Sequence, residues 1–179
     1  INDDDKDKEL LGQVLNFLEK QGINKIDLED MIKLFEFVIS PSDRVVTGAI
    51  YTPNKIRKRI LENCLGNQKD LSSVRVADIA CGCGGFLMDV AKYIHKKTGK
   101  SYHHIYQENI FGIDIQSYSI ERCKILLNLL AISEGECSDF KFNLLNTDTL
   151  DFHLEGWNPV FGRFDVIVGN PPYVCGRNM

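Results

Sequence analysis

The sequence predicts an α/β fold built on a parallel sheet. From residue 74 onward, short apolar runs alternate with stretches of helical periodicity, as in a chain of strand–helix–strand units. A glycine-rich loop follows the first apolar run, and acidic or amide side chains follow the later ones. In a doubly wound sheet ordered three, two, one, four, these polar ends meet at a crevice between strands one and four. We therefore expect a ligand site at that edge of the sheet.

Length and composition are those of one globular domain, or of one core domain with a helical attachment. The chain has 179 residues and a formal net charge of -4, which argues against strong binding of a polyanion without a local basic patch. We find no apolar run long enough to span a bilayer and no signal peptide, so we expect an intracellular protein with no membrane partner. The six cysteines lack disulfide or zinc spacings, which predicts reduced thiols and no metal site.

Two helices are expected before the sheet. The first follows apolar spacing over residues 10–22, and the second begins after a cap at Asp27 and ends at Ser40. The second helix has one apolar face, formed by Leu28, Met31, Ile32, Phe35, Val38 and Ile39. We find no chemistry in this pair and interpret residues 1–43 as a helical attachment to a core over 44–179.

A third helix is expected from Pro53, in the favoured first-turn position, to about Cys64. Its predicted inner face consists of Ile56, Ile60 and Cys64. It also carries the most basic segment of the chain, with Lys55, Arg57, Lys58 and Arg59. A solvated helix face is favoured there over a contact with DNA phosphates.

The sheet region contains four predicted strands, at 74–79, 110–115, 140–145 and 164–168. Helices are expected over 86–95 and 117–131. The polar stretch 96–109 is expected to be a surface loop, since its neighbouring His103 and His104 lack the i, i+4 spacing of a helical metal site.

The loop after the first strand has the features of a ligand loop. Asp78 is followed by Ala80, Cys81, Gly82, Cys83, Gly84 and Gly85. Small residues let a ligand approach the backbone, and the helix that follows offers free N–H groups to an anionic group. Leu87 stands where a dinucleotide fingerprint would place its third glycine, which disfavours NAD. A plain tight turn is the alternative.

Two further acids follow the second and third strands. Asp114 lies where a carboxylate suits the two hydroxyls of a ribose, and Asp148 could accept a hydrogen bond from an adenine amine. Each acid alone could instead be a helix cap. Their placement after successive strands favours a nucleoside site.

The fourth strand leads into Asn170, Pro171, Pro172 and Tyr173. An amide oxygen, backbone carbonyls beside prolines that lack N–H groups, and an aromatic ring could hold a flat base by its edge and its face. An ordinary proline turn after a strand is the alternative.

Taken together, these motifs resemble the N6-adenine DNA methyltransferase family. The resemblance rests on Tyr51-Thr52-Pro53, the Asp-Ile-Ala-Cys-Gly-Cys-Gly-Gly-Phe-Leu stretch at 78–87, Gly-Ile-Asp at 112–114, Asp148, and Asn-Pro-Pro-Tyr at 170–173. With Thr-Pro ahead of the glycine loop, the order is similar to the gamma class, which includes type I modification subunits. The resemblance implies a Rossmann-like sheet of an S-adenosylmethionine-dependent methyltransferase, of which this chain would contain an incomplete, amino-terminal part. A target-recognition domain would lie elsewhere.

The resemblance also implies roles for particular residues. Thr52, Asp78, Ala80 and Gly82 would hold the methionine end of S-adenosylmethionine, Asp114 its ribose and Asp148 its adenine. The wider cofactor-binding set adds Tyr51, Pro53, Cys81, Gly84, Ile115 and Thr149. The catalytic set, Asn170 to Tyr173, would hold a flipped adenine for direct transfer of the methyl group to its amine.

The implied partners are double-stranded DNA and the specificity and restriction subunits of a bacterial or archaeal restriction-modification system, in the cytoplasm. An RNA-adenine or protein-glutamine methyltransferase and a non-catalytic binding module remain open alternatives. An exposed edge at the fourth strand would favour self-association of this chain.

Overall fold

The computed structural model describes residues 27–37, 52–150 and 163–172. Within these ranges the helices are α1 (Leu28–Phe37), α2 (Asn54–Leu65), α3 (Gly85–Thr98), α4 (Tyr102–Glu108) and α5 (Ser117–Ser133). The strands are β1 (Val76–Asp78), β2 (Ile110–Asp114), β3 (Asn143–Asn146) and β4 (Val166–Val168). In these ranges, no helix combines the length and the apolar character needed to cross a membrane.

The four strands form a parallel sheet in the order β3-β2-β1-β4. This is the predicted order, and it places the switch point between β1 and β4. In the register, Asp78 at the end of β1 lies beside Gly112 of β2 and Val168 of β4. The polar residues that follow these strands therefore share one edge of the sheet.

The main hydrophobic core lies between the sheet and its helices. It contains Leu87, Ile94, Ile105 and Leu127, each fully buried, and a second, smaller cluster is formed by Ala77, Phe111 and Ile113. Strands that are apolar almost without interruption are typical of a parallel sheet, because both faces of such a sheet are buried.

Helix α1, the first helix of the described residues, packs on the same core. Asp27 caps it as predicted, because its Oδ1 accepts a hydrogen bond from the Glu29 N–H at 2.9 Å. Leu28 and Ile32 belong to the main cluster, and Arg122 of α5 donates to the Phe35 carbonyl at 3.1 Å. The predicted helix over 10–22 lies outside the described residues, as does the proposed boundary at residue 43, which stays a prediction.

The expectation of a surface loop over 96–109 is wrong, because helix α4 forms there. The Ser101 hydroxyl accepts from the His104 N–H at its start, and Tyr102, Ile105 and Tyr106 are buried at helical spacing. The Tyr106 hydroxyl also donates to the Leu127 carbonyl at 2.7 Å. This bond satisfies the polar end of an otherwise buried ring.

Other element bounds differ by a few residues from the predicted ones. Helix α3 extends to Thr98 and ends at Gly99, whose φ is 72°. Strand β3 begins at Asn143 rather than Phe140, and the Phe140 ring packs edge-on against Tyr106, with centroids 5.5 Å apart.

Candidate functional site

An open cleft lies at the carboxyl ends of β1 and β4. Its cavity volume is about 60 Å³, and about 390 Å³ when the open space at its mouth is counted. It brings together predicted site residues from three separate segments: Thr52, then Asp78, Ala80, Cys81 and Gly82, then Asn170. The rest of its lining is Ile32, Arg57, Cys83, Gly85 and Phe86.

The glycine loop forms the floor of this cleft. The Cys81 N–H donates to the Ile113 carbonyl at 2.9 Å, and the Gly84 N–H donates back to the Cys81 carbonyl at 2.8 Å. Gly82 and Gly84 adopt φ values of 53° and 90°, a left-handed conformation that favours glycine. Helix α3 starts at Gly85 immediately afterwards, and its first two residues, Gly85 and Phe86, line the cleft.

Asp78 is the buried carboxylate of the site. It is 1 % exposed, and its Oδ1 accepts from the Ala80 N–H at 3.1 Å. Burial, together with the nearby Asp114, raises the pKa of Asp78 to about 7, although the Ala80 N–H opposes the shift. The end of β4 comes close as well, since a Cβ at Gly169 would lie 3.1 Å from Asp78 Oδ1.

Asp114 connects the end of β2 to the glycine loop. Its Oδ2 accepts from the Gly82 N–H at 2.8 Å and its Oδ1 from the Gln116 N–H at 2.9 Å. Burial raises the pKa of Asp114, while these two N–H groups and the Ser119 side chain favour the ionised form. The next residue, Ile115, leaves 60 % of its surface exposed, an apolar side chain beside a carboxylate.

The loop after β3 is tied to the other strands. The Thr149 hydroxyl donates to the Ile79 carbonyl at 2.6 Å, and the Asn146 amide donates to the Asp114 and Ile115 carbonyls at 3.0 and 2.8 Å. Asp148 is half-buried, and its Oδ1 accepts from the Leu150 N–H at 2.9 Å in a tight turn. Like Asp114, Ile115 and Thr149, it is not among the residues that line the cleft.

The predicted catalytic segment is described in part. Asn170 is half-buried in the cleft wall, whereas Pro171 and Pro172 are exposed and are not among the lining residues. Tyr173 and Tyr51 lie outside the described residues. Pro53 immediately precedes α2, and its carbonyl accepts from the Ile56 and Arg57 N–H groups at 2.9 and 3.1 Å.

The predicted inner face of helix α2 is wrong at Ile56, whereas Ile60 and Cys64 are half-buried against the main core as predicted. The prediction that Arg57 lies on a solvated face is also wrong. Ile56 is 51 % exposed, and the buried stripe consists of Arg57, Leu61 and Leu65. Arg57 is only 1 % exposed, whereas the basic residues around it are exposed as expected. The i, i+4, i+8 spacing of Arg57 with the two leucines was the available signal.

The sequence reasoning also missed two contributions from α1, which was expected to carry no chemistry. Ile32 lines the cleft, and Glu29 forms an ion pair with Arg57, its Oε2 2.6 Å from Nη2. Neither side chain carries a sequence signal for this role, because the partners lie far along the chain.

The cysteines of the described residues are free thiols, and these residues contain no cluster of side chains suited to a metal ion. Cys81 in the cleft is hydrogen-bonded to Cys123. This bond and burial raise the pKa of the Cys81 thiol well above its usual value. A thiol held protonated is a poor nucleophile, so Cys81 is suited to packing.

Comparison with known proteins places these features in a family. The family model described as N-6 DNA Methylase matches residues 29–176. The chain is 26% identical over 178 residues to a type I restriction enzyme MpnII methylase subunit of Mycoplasma pneumoniae, covering 94% of this chain and 30% of that protein. It is 26% identical over 150 residues to the type II methyltransferase M.VspI of a Vibrio species, with 84% and 31% covered. The chain thus spans less than a third of these relatives.

Two solved structures share the fold. The type IIL restriction-modification enzyme MmeI in complex with DNA superposes with a TM-score of 0.60 at 19% identity, over 83% of this chain and 26% of that chain. The DrdV–DNA complex superposes with a TM-score of 0.55, also at 19% identity, over 80% of this chain and 15% of that one. These superpositions support the Rossmann-like methyltransferase sheet expected from the sequence.

Proposed function

The chain belongs to the N-6 DNA methylase family, and from this premise we propose that it forms the cofactor-binding part of an enzyme that methylates N6 of adenine in DNA. The methyl donor is S-adenosylmethionine, and the setting is a restriction-modification system. One observation carries the proposal: the Thr52 segment, the glycine loop with Asp78, and Asn170 line a single cleft at the sheet's switch point.

The chemistry of the cleft fits such a cofactor. Asp78 supplies a carboxylate for the ammonium of the methionine end, and Thr52, Ala80 and Gly82 surround that position. The N-terminal N–H groups of α3 suit the carboxylate at the same end. When bound, S-adenosylmethionine supplies an electrophilic methyl group on a sulfonium.

Residues that follow β2 and β3 would bind the nucleoside end of the cofactor. Asp114 would accept from the ribose hydroxyls while keeping its bond to the Gly82 N–H. Exposed Ile115 offers an apolar surface for the adenine ring, and Asp148 an acceptor for its amine. Thr149 would act by holding the β3 loop against Ile79. Tyr51, Pro53, Cys81 and Gly84 complete the proposed set as neighbours in the Thr-Pro segment and the glycine loop.

Asn170, Pro171, Pro172 and Tyr173 would receive the target adenine, flipped out of the duplex. The Asn170 side-chain oxygen and the Pro171 carbonyl would accept from its exocyclic amine, and the Tyr173 ring would stack on its face. Two acceptors on one amine direct its lone pair out of the ring plane and toward the methyl group. Transfer then requires no covalent enzyme intermediate.

The partners follow from the same proposal. The two structural neighbours are described as complexes with DNA, and the MpnII relative is a methylase subunit of a type I enzyme. We propose double-stranded DNA as substrate, and specificity and restriction subunits as partners in the bacterial or archaeal cytoplasm. In the described residues β4 forms one edge of the sheet, so self-association of this chain alone remains a further proposal.

The experiment is a methyl-transfer assay with the full-length protein, methyl-labelled S-adenosylmethionine and DNA, RNA or protein as acceptor. We expect label on N6 of adenine in DNA, and we expect Asn170→Ala to lower the transfer rate by about 100-fold or more. Asn170→Ala should still bind S-adenosylhomocysteine, because Asn170 would contact the amine of the target adenine rather than the cofactor. Label on RNA or on glutamine side chains, with none on DNA, would overturn the proposal.

A further inference from the structure

Arg57 is a buried cation that joins three separate parts of the structure. Its Nε donates to Asp89 Oδ2 at 2.8 Å, its Nη1 to the Thr52 carbonyl at 2.7 Å, and its Nη2 to Glu29 Oε2 at 2.6 Å. Asp89 lies on α3, Glu29 on α1, and Thr52 in the segment before α2. One guanidinium therefore fixes the N-terminal helix, the Thr-Pro segment and the helix of the glycine loop relative to one another.

The arrangement requires the planar fork of an arginine. The three acceptors bond to three different nitrogens of the guanidinium. A lysine ammonium on a flexible stem cannot reach all three acceptors with the same geometry. The guanidinium also packs on the first turn of α3, since a Cβ at Gly85 would lie 3.4 Å from Arg57 Cζ. Asn54 strengthens the cluster by donating to the same Glu29 oxygen at 3.1 Å.

We propose that Arg57 is a positioning residue for the cofactor cleft, acting by holding the Thr52 carbonyl and the start of α3 in register with each other. Thr52 and Gly85 both line the cleft, on either side of Arg57 itself. A shift of either wall would change the space available to the methionine end of S-adenosylmethionine. This inference rests on the proposed function, because it assigns a role within the same site.

A second consequence concerns helix α1. Glu29 provides one of the two carboxylates that balance the buried guanidinium, and Ile32, one turn later, lines the cleft. Without Glu29 the guanidinium would lose a charged partner in a nearly dry environment. Helix α1 is thus part of the cofactor site through Arg57.

The test measures binding of two nucleosides to the full-length protein by calorimetry. S-adenosylhomocysteine carries the amino-acid end that the Thr52 side of the cleft would hold, whereas 5′-methylthioadenosine lacks it. The variants are Arg57→Met, which keeps an apolar stem and removes the guanidinium, and Arg57→Lys, which keeps the stem and the charge but not the planar fork. Lys58→Met on the exposed side of the same helix is the matched control.

We expect Arg57→Met to lower the affinity for S-adenosylhomocysteine by about tenfold or more, while the affinity for 5′-methylthioadenosine changes by less than about twofold. Arg57→Lys should recover only part of the loss, and Lys58→Met should bind both nucleosides like the wild type. If Arg57→Met weakens both nucleosides equally, or neither, Arg57 has a general structural role or none, and the inference is overturned.

Arg57→Met could fail to fold, since it leaves two carboxylates buried. Glu29→Gln, which keeps the shape of the side chain and removes its charge, then takes its place with the same criterion: a selective loss for S-adenosylhomocysteine supports the inference, and an equal loss or none overturns it. A wild-type protein that binds neither nucleoside would instead contradict the proposed function itself, which separates the two failures.

Discussion

Asp114 accepts a hydrogen bond from the backbone N–H of Gly82 at 2.8 Å, joining the end of the second strand to the glycine loop after the first. The carboxylate proposed to hold a ribose therefore also shapes the loop proposed to hold the methionine end. One side chain thus links the two parts of the proposed cofactor site.

Replacing Asp114 by Asn should lower both stability and nucleoside affinity. The amide can accept from only one of the Gly82 and Gln116 N–H groups and turns an NH₂ toward the other, which leaves a donor without an acceptor. We expect a loss of about 1–3 kcal/mol in the free energy of unfolding, measured by urea denaturation.

The control for this change is Asp139→Asn, at an exposed position. It should shift the free energy of unfolding by less than about 0.5 kcal/mol. Equal effects of the two substitutions would show that Asp114 does not hold the loop.

Asp78 should make stability depend on pH in an unusual direction for a carboxylate. Its pKa is raised from 3.8 to about 7, mainly by burial, so the folded protein keeps a proton that the unfolded chain releases. Stability should therefore fall as the pH rises from about 4 to about 7 and level off above that, with a slope of at most about 1.4 kcal/mol per pH unit for one proton.

Urea midpoints across that range, for wild type and Asp78→Asn, check this prediction. The asparagine variant should lose most of the slope, while Asp114 and Asp89, whose pKa values are also raised by burial, account for a remainder of the same sign. A wild-type stability that rises steadily over this range would contradict the assignment.

The parallel sheet and its order could be predicted because they depend on local periodicity and on a general rule for crossovers. The apolar strand of Val76 and its neighbours, the small-residue loop and the helix after it are each encoded within about a dozen residues. The residues that follow strands meet at one edge by topology alone. This explains why Asp78 and Asn170 were expected near each other, whereas Thr52 was expected there only from the resemblance to the methyltransferase family.

The role of Arg57 could not be predicted in the same way. Whether an arginine on a helix is solvated or buried depends on what faces it, and its partners Glu29 and Asp89 lie 28 and 32 residues away. Helix α4 was missed for a related reason. The histidines, lysines and glutamine of its stretch hid the helical spacing of Tyr102, Ile105 and Tyr106, whose burial depends on α5 and on Phe140.

Gly84 should tolerate no side chain, for two separable reasons. Its φ of 90° is left-handed, and an added Cβ would clash with Cys123 Sγ. Rotation of that thiol is restricted because Cys123 is fully buried and hydrogen-bonded to Cys81. Gly99 provides the matched control, since its φ is 72° and, among the residues that the structure describes, no non-neighbouring atom lies within 4 Å of its would-be Cβ.

We expect Gly99→Ala to cost about 1–2 kcal/mol from the left-handed backbone alone, and Gly84→Ala to cost about 1–3 kcal/mol more from overpacking. Adding Cys123→Ala to Gly84→Ala should recover part of that excess, because the nearest remaining atom of residue 123 is a Cβ 3.3 Å away. The measurement is a double-mutant cycle in urea, with a coupling beyond about 0.5 kcal/mol expected. Additive costs, or equal costs at Gly84 and Gly99, would show that the glycine loop can move away from α5. The shape of the glycine loop would then not depend on its close packing against that helix.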